Sequence, residues 1–258
     1  MNTIWALAKI VVLEMIRRKD FYVLFILTVL LTGMAGSVNL FNDHSIVRYL
    51  KEICLLLIWV ASLVIAITCT ARQIPMEREQ RTIFPLLAKP VTRAQFLLGK
   101  FLGCWVATGL ALLVFYLFFG VVSASREQHW PVLNYLQAGF LHWLMLGIVI
   151  AATLLGSIVF AAPSSNGTIC FVCVAGILLL GRHLNKVALG LAEPLQSLLY
   201  GIYFVIPHLE LFDVRDLITH NWDLIPGGVM ALAILYAATY TAFLLTAAWL
   251  VFRRRPLN

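Results

Sequence analysis

Three groupings in this chain have the residue types and spacing that chemistry uses. Cys170-Phe-Val-Cys173 places two thiols at i and i+3, on one helix face, as a metal site or a thiol-exchange pair would need. No His or acid accompanies them in the same stretch. All five cysteines, Cys54, Cys69, Cys104, Cys170 and Cys173, fall within or at the edge of apolar segments, where a thiol packs as a small apolar side chain. His142 and Ser157 have the types of a base and a nucleophile, but their separation spans about 22 Å along one helix, too far to pass a proton. Gly99-Lys100 resembles the end of a phosphate-cradling loop. That loop requires Gly where Ala94 stands and Ser or Thr where Phe101 stands. The chain is therefore read as no enzyme: it has no ATPase site of its own, no cofactor and no metal.

The elements that must position these residues are set by composition. With 62% apolar and 12% charged residues and a mean hydropathy of +0.92, too little polar surface remains to solvate a globule. The expected class is an all-α, polytopic membrane protein. No cleavable signal is evident, so the first span serves as its own insertion signal. Crossings of roughly 20 residues are placed at 21–38, 53–70, 96–122, 136–161, 167–180 and 226–252. The net charge of +7 reflects Lys and Arg at span ends rather than a nucleic-acid surface. A seventh apolar stretch, 187–206, is interrupted by Glu193 and Pro194 and reads as a re-entrant or interfacial element before helix 6. Six crossings put both termini, Arg17, Arg18, Lys19, residues 72–100 and the triple-Arg tail on one side, the cytoplasmic side by the positive-inside tendency. Residues 1–20 form an N-terminal segment that either lies along the inner surface or extends the first span inward.

Charge is concentrated between spans 2 and 3. In segment 71–95, Glu77, Arg78, Glu79, Arg81, Lys89 and Arg93 interleave with Ile83, Phe84, Leu86 and Leu87 at helical spacing, as a short amphipathic coupling helix at a membrane surface requires. Such charges also suit a plain solvated loop. Pro90 would stop the helix before Thr92 starts the next one. Gly99, Gly103, Ala107 and Ala111 recur every four residues, giving one face of the third span on which another helix can pack closely, within the bundle or across a dimer.

Glu79, Thr82, Leu86, Leu87, Pro90, Thr92, Arg93, Gly99 and Lys100 follow the pattern of an acidic residue, a Thr, a Leu-rich turn, a Pro, a Thr-Arg pair and a Gly-Lys opening the third membrane helix. This resembles the cytoplasmic segment of ABC transporter permeases of the second export type. The layout of six spans extends the resemblance over the full length, as a single transmembrane permease domain, 1–258. Among subgroups it is most similar to permeases associated with multicopper-enzyme maturation, such as the nitrous-oxide-reductase accessory permease. It departs from the pattern at Arg81, where many members carry Gly, and at Pro85.

The resemblance implies a permease subunit of an ATP-binding cassette exporter. Glu77, Arg78, Glu79, Arg81, Thr82, Leu86, Leu87, Pro90 and Arg93 would couple it to a separate ATPase subunit that holds the ATP and Mg. A second permease copy, as homodimer or heterodimer, would complete it in the bacterial inner (plasma) membrane among lipid. Nearly absent ionisable residues within the spans argue against a proton- or sodium-driven carrier. Two other classes stand beside it: a non-transporting anchor or assembly subunit, and a membrane-embedded enzyme. Residues 207–223, with His208, Glu210, Asp213, Arg215, Asp216, His220 and Asp223, read as a solvated outer loop that could engage an extracytoplasmic accessory protein.

Overall fold

The computed structural model describes residues 2–17, 19–37, 44–80, 91–127, 131–160, 162–190 and 192–254. The described residues form α1 (Asn2–Arg17), α2 (Lys19–Ser37), α3 (His44–Glu79), α4 (Arg93–Glu127), α5 (Val132–Val159), α6 (Pro163–Leu189), α7 (Leu195–Val205), a 3-10 turn (Leu209–Phe212), α8 (Arg215–Thr219) and α9 (Gly227–Arg254). No strand occurs among them, and the protein is an all-α membrane protein. By length and composition five of these helices can cross a membrane, or six if the pair Leu195–Val205 and Leu209–Thr219, bent by 45°, counts as one span. The five are α3, α4, α5, α6 and α9; the first expected crossing, 21–38, overlaps α2, which is not among them.

Local chemistry sets the helix ends. α4 opens on a reciprocal cap: the Thr92 hydroxyl accepts the Gln95 backbone N–H at 3.2 Å, and the Gln95 side-chain oxygen accepts that of Thr92 at 3.0 Å. Pro163 occupies the first position of α6, where a missing N–H costs nothing. α3 does not stop where its apolar run ends; it continues through Pro75 to Glu79, so the first charges of segment 71–95 belong to the span helix itself.

α5 is the centre of the bundle, buried without interruption from residue 144 to 151 and packed against α3, α4, α6 and α9. It meets α4 through an interlocked pair of tryptophans. Trp105 and Trp143 stack with ring centroids 4.2 Å apart, and each indole N–H donates at 3.0 Å to the other residue's carbonyl. Gly109 and Gly147, each four residues further along, provide the recesses: a Cβ on Gly109 would lie 2.5 Å from the Trp143 indole nitrogen, and one on Gly147 3.1 Å from that of Trp105. α6 fastens to α5 by Asn166, whose amide donates to the Thr153 carbonyl at 3.1 Å and fits the recess at Gly156. α9 sits at the periphery with Val229, Leu232, Leu235 and Phe243 exposed, as a lipid-facing helix permits.

The two ends of the bundle are chemically distinct. The end of α3, the start of α4 and the end of α9 meet at one end. At the other, Asn134 and Gln137 of α5 bond the backbone of Trp222 and Ile225 just before α9. Since α9 begins at that far end and finishes beside the start of α4, residues 192–226 leave and return to the same end without a net crossing.

Candidate functional site

The sequence-derived site lies where the chain leaves α3 and enters α4. Glu77 is two residues from the end of α3, and its carboxylate pairs with Lys100 of α4. Lys100 is almost wholly buried, and its ammonium also donates to Gln73 at 3.0 Å. On the next turn back, Phe96 lies under the Lys100 ammonium, 5.8 Å from ring centre, and stacks on Phe252 of α9 at 6.0 Å. Arg93, the first residue of α4, lies 5.6 Å over the other aromatic of that pair and donates to the carbonyls of Phe252 and Arg253 at 2.8 and 3.0 Å. It thus supplies donors to α9 carbonyls that the helix end leaves open, and its positive charge suits the negative end of the helix dipole.

The result is a continuous ladder, Glu77, Lys100, Phe96, Phe252, Arg93, which ties three helices together. Of the expected coupling residues, Glu77 and Arg93 are engaged inside the chain. Arg78 is half-buried beside them. Glu79 is exposed and, with Gln80, presents the outward face of the helix end. Arg81, Thr82, Leu86, Leu87 and Pro90 lie outside the described residues.

The small-residue stripe on α4 faces α1. A Cβ on Gly99 would come 2.7 Å from the Leu7 Cβ, and one on Gly103 2.7 Å from the Val11 Cβ and 3.0 Å from the Ala8 backbone. Ala107 and Ala111 continue the stripe and are buried. The contacts advance together, Leu7 with Gly99 and Val11 with Gly103, so α1 runs alongside α4 in the same direction.

Other chemistry-bearing residues are drawn into structure. His142 is buried, but its partner is Ser62 of α3 rather than Ser157: Ser62 Oγ lies 2.9 Å from His142 Nε2. The Ser62 hydroxyl itself donates to the Trp59 carbonyl at 2.9 Å, so it accepts from the imidazole and has no proton to surrender to it. Trp59 stacks on the imidazole at 4.6 Å, and the Arg215 guanidinium lies 5.0 Å over the indole. Arg215 in turn holds Asp213 with two bonds of 2.8 Å, which raise its affinity for its proton above the ordinary value. Nothing local in the sequence marks Ser62 and Trp59; their role arises from helix pairing.

The outer loop is only partly solvated: Asp216, His220 and Asp223 are exposed. Leu209, Phe212 and Ile218 are buried, and the 3-10 turn and α8 close over α3, α5 and α6. Cys170 donates to Asn166 at 3.3 Å while Cys173 is exposed. Among the described residues no group of three or more His, Cys, Asp or Glu is arranged to hold a metal ion.

Residues 5–255 match the family model described as ABC-2 family transporter protein. No curated protein matches the chain.

Proposed function

The chain belongs to the ABC-2 transporter family, and from that premise we propose that it is the membrane-spanning permease of an ATP-binding cassette exporter, driven by a separate ATPase subunit that docks on residues 77–93. The observation that carries the reading is the ladder at the α3–α4 junction. A segment that passes force from a soluble motor to membrane helices must be fixed at both ends. Here the residues before 81–90 are tied by the Glu77–Lys100 pair and those after them by Arg93 on the end of α9. Displacement of 81–90 would then reach α3, α4 and α9 at once.

In this reading Glu79 and Gln80, exposed at the end of α3, present charge and polarity to the ATPase, while Leu86 and Leu87 supply apolar contact. ATP and Mg stay on the partner subunit. Two permease copies form the transport unit in a bacterial inner membrane, with both termini and residues 71–95 on the ATP side. The likeness of residues 79–100 to permeases of multicopper-enzyme maturation makes that subgroup the first whose cargo to assay.

The test is Glu79→Arg, which reverses an exposed charge without touching the ladder. The expected outcome is loss of the co-purifying ATPase with unchanged thermal stability of the bundle, whereas Glu79→Gln retains part of it. Full retention of both ATPase and nucleotide-stimulated transport by Glu79→Arg would refute the docking role.

A further inference from the structure

Among the described residues, two grooves on the bundle flanks differ in lining. The one between α4 and α5, about 590 Å³, is lined by aliphatic, glycine and aromatic residues and carries no charge along its length. The other, about 550 Å³, lies between α3 and α6 and changes character from end to end. Arg72 and Ser164 stand at one end and Val64 and Phe171 at the other, with Gly167, Thr168, Thr68 and Ile67 at depths between them.

This gradient is aligned with the bilayer. Between Glu52 and Arg72 α3 carries no charged residue, a rise of about 30 Å, which is the thickness of the hydrocarbon core. Arg72 therefore marks the hydrocarbon boundary on the side of residues 71–95. Val64 lies about 12 Å deeper along α3, and Phe171 about 10 Å beyond Ser164 along α6. A ligand with negative charge at headgroup depth and hydrocarbon immediately below it would match this lining.

We propose that the groove between α3 and α6 seats an anionic phospholipid from that leaflet, its phosphate held by Arg72 with the Ser164 and Thr168 hydroxyls and its chains running along Ile67 and Phe171. The guanidinium fork matches phosphate oxygens, and the charge-assisted bond is stronger at the edge of a low-dielectric layer than in water. Gly167 leaves the chain path open: a Cβ there would meet only the Ala71 Cβ, at 3.9 Å, so a longer side chain would extend into the groove. The volume falls within the range of small-ligand sites. The site rests on the membrane setting and not on ATPase docking, so Glu79→Arg leaves lipid retention unchanged.

The experiment measures lipids retained by the whole protein, released from nanodiscs of mixed phosphatidylglycerol and phosphatidylcholine, by native mass spectrometry. Wild type is expected to retain phosphatidylglycerol over phosphatidylcholine by roughly tenfold, the equivalent of about 1.4 kcal/mol. Arg72→Gln removes that preference, and Arg72→Lys keeps part of it. Gly167→Leu, which fills the groove, lowers retention of both lipids, and Gly167→Ala does not. Equal retention of the two lipids by wild type overturns the proposal, as does unchanged preference in Arg72→Gln. Displacement of the lipid by millimolar inorganic phosphate overturns it too, since a free-anion site needs no chains.

Discussion

Lys100 is a buried cation whose structural role can be measured. Replacing it with Met removes the ammonium from Glu77 and Gln73 together. Breaking a buried pair from one side costs about 3–5 kcal/mol when the remaining charge has no escape. The Glu77 side chain retains 16% of its exposure, so water relieves part of the penalty and the expected loss is about 2–3 kcal/mol. Glu77→Gln leaves Lys100 with the Gln73 oxygen at 3.0 Å and should cost about 2 kcal/mol. The double variant removes both charges of the pair and leaves Gln73 short of a partner, about 1 kcal/mol. The singles then sum to about 4–5 kcal/mol against about 1 for the double, an interaction energy of about 3–4 kcal/mol. The assay is equilibrium unfolding in mixed micelles titrated with dodecyl sulfate, followed by far-ultraviolet circular dichroism. Single-variant losses that add to the double within about 0.5 kcal/mol would show that Glu77 and Lys100 do not act as a pair, and the ladder reasoning would fail.

Other substitutions probe the remaining contacts. Gly109→Ala places a methyl 2.5 Å from the Trp143 indole nitrogen and should cost about 2–3 kcal/mol by the same unfolding assay, from overpacking and two lost indole bonds. Gly103→Leu meets the Val11 Cβ and the Ala8 backbone and should lift α1 off α4, read as faster proteolysis near the N-terminus of reconstituted protein. Arg93→Gln withdraws two charge-assisted bonds from the end of α9, worth about 1–2 kcal/mol because one of them is exposed, and should speed amide exchange over residues 249–254. Single cysteines at 79 and 254 should react with an impermeant maleimide from the same side of sealed vesicles, since Arg93 joins these helix ends; labelling from opposite sides would overturn the topology.

Hydropathy reads each helix by itself, so what depends on single segments was legible. The apolar runs, the all-α class and the interruption at Glu193–Pro194 follow from composition along the chain. The stripe from Gly99 to Ala111 announced a packing face, but not that Leu7 and Val11 would fill it, because spacing names a face and never its occupant. Glu77 and Arg93 stand in a charged run whose spacing names no neighbour; within the chain they meet Lys100 and the end of α9, contacts set by helix pairing. Ser62 and His142 meet across 80 positions, a distance no local pattern spans. The 207–223 segment was legible only in part for a related reason: its polar residues flank Leu209, Phe212 and Ile218, whose burial depends on the surface beneath them.

The tryptophan pair between α4 and α5 constrains how such a bundle can move. Each indole is wedged into the other helix's glycine notch and bonded there, so neither helix can slide or roll past its mate without breaking both bonds at once. Packed surfaces of this kind shift as blocks rather than deform. In any rearrangement the two helices would shift together as one block, leaving the seams against α3 and α9 as the places where packing can change.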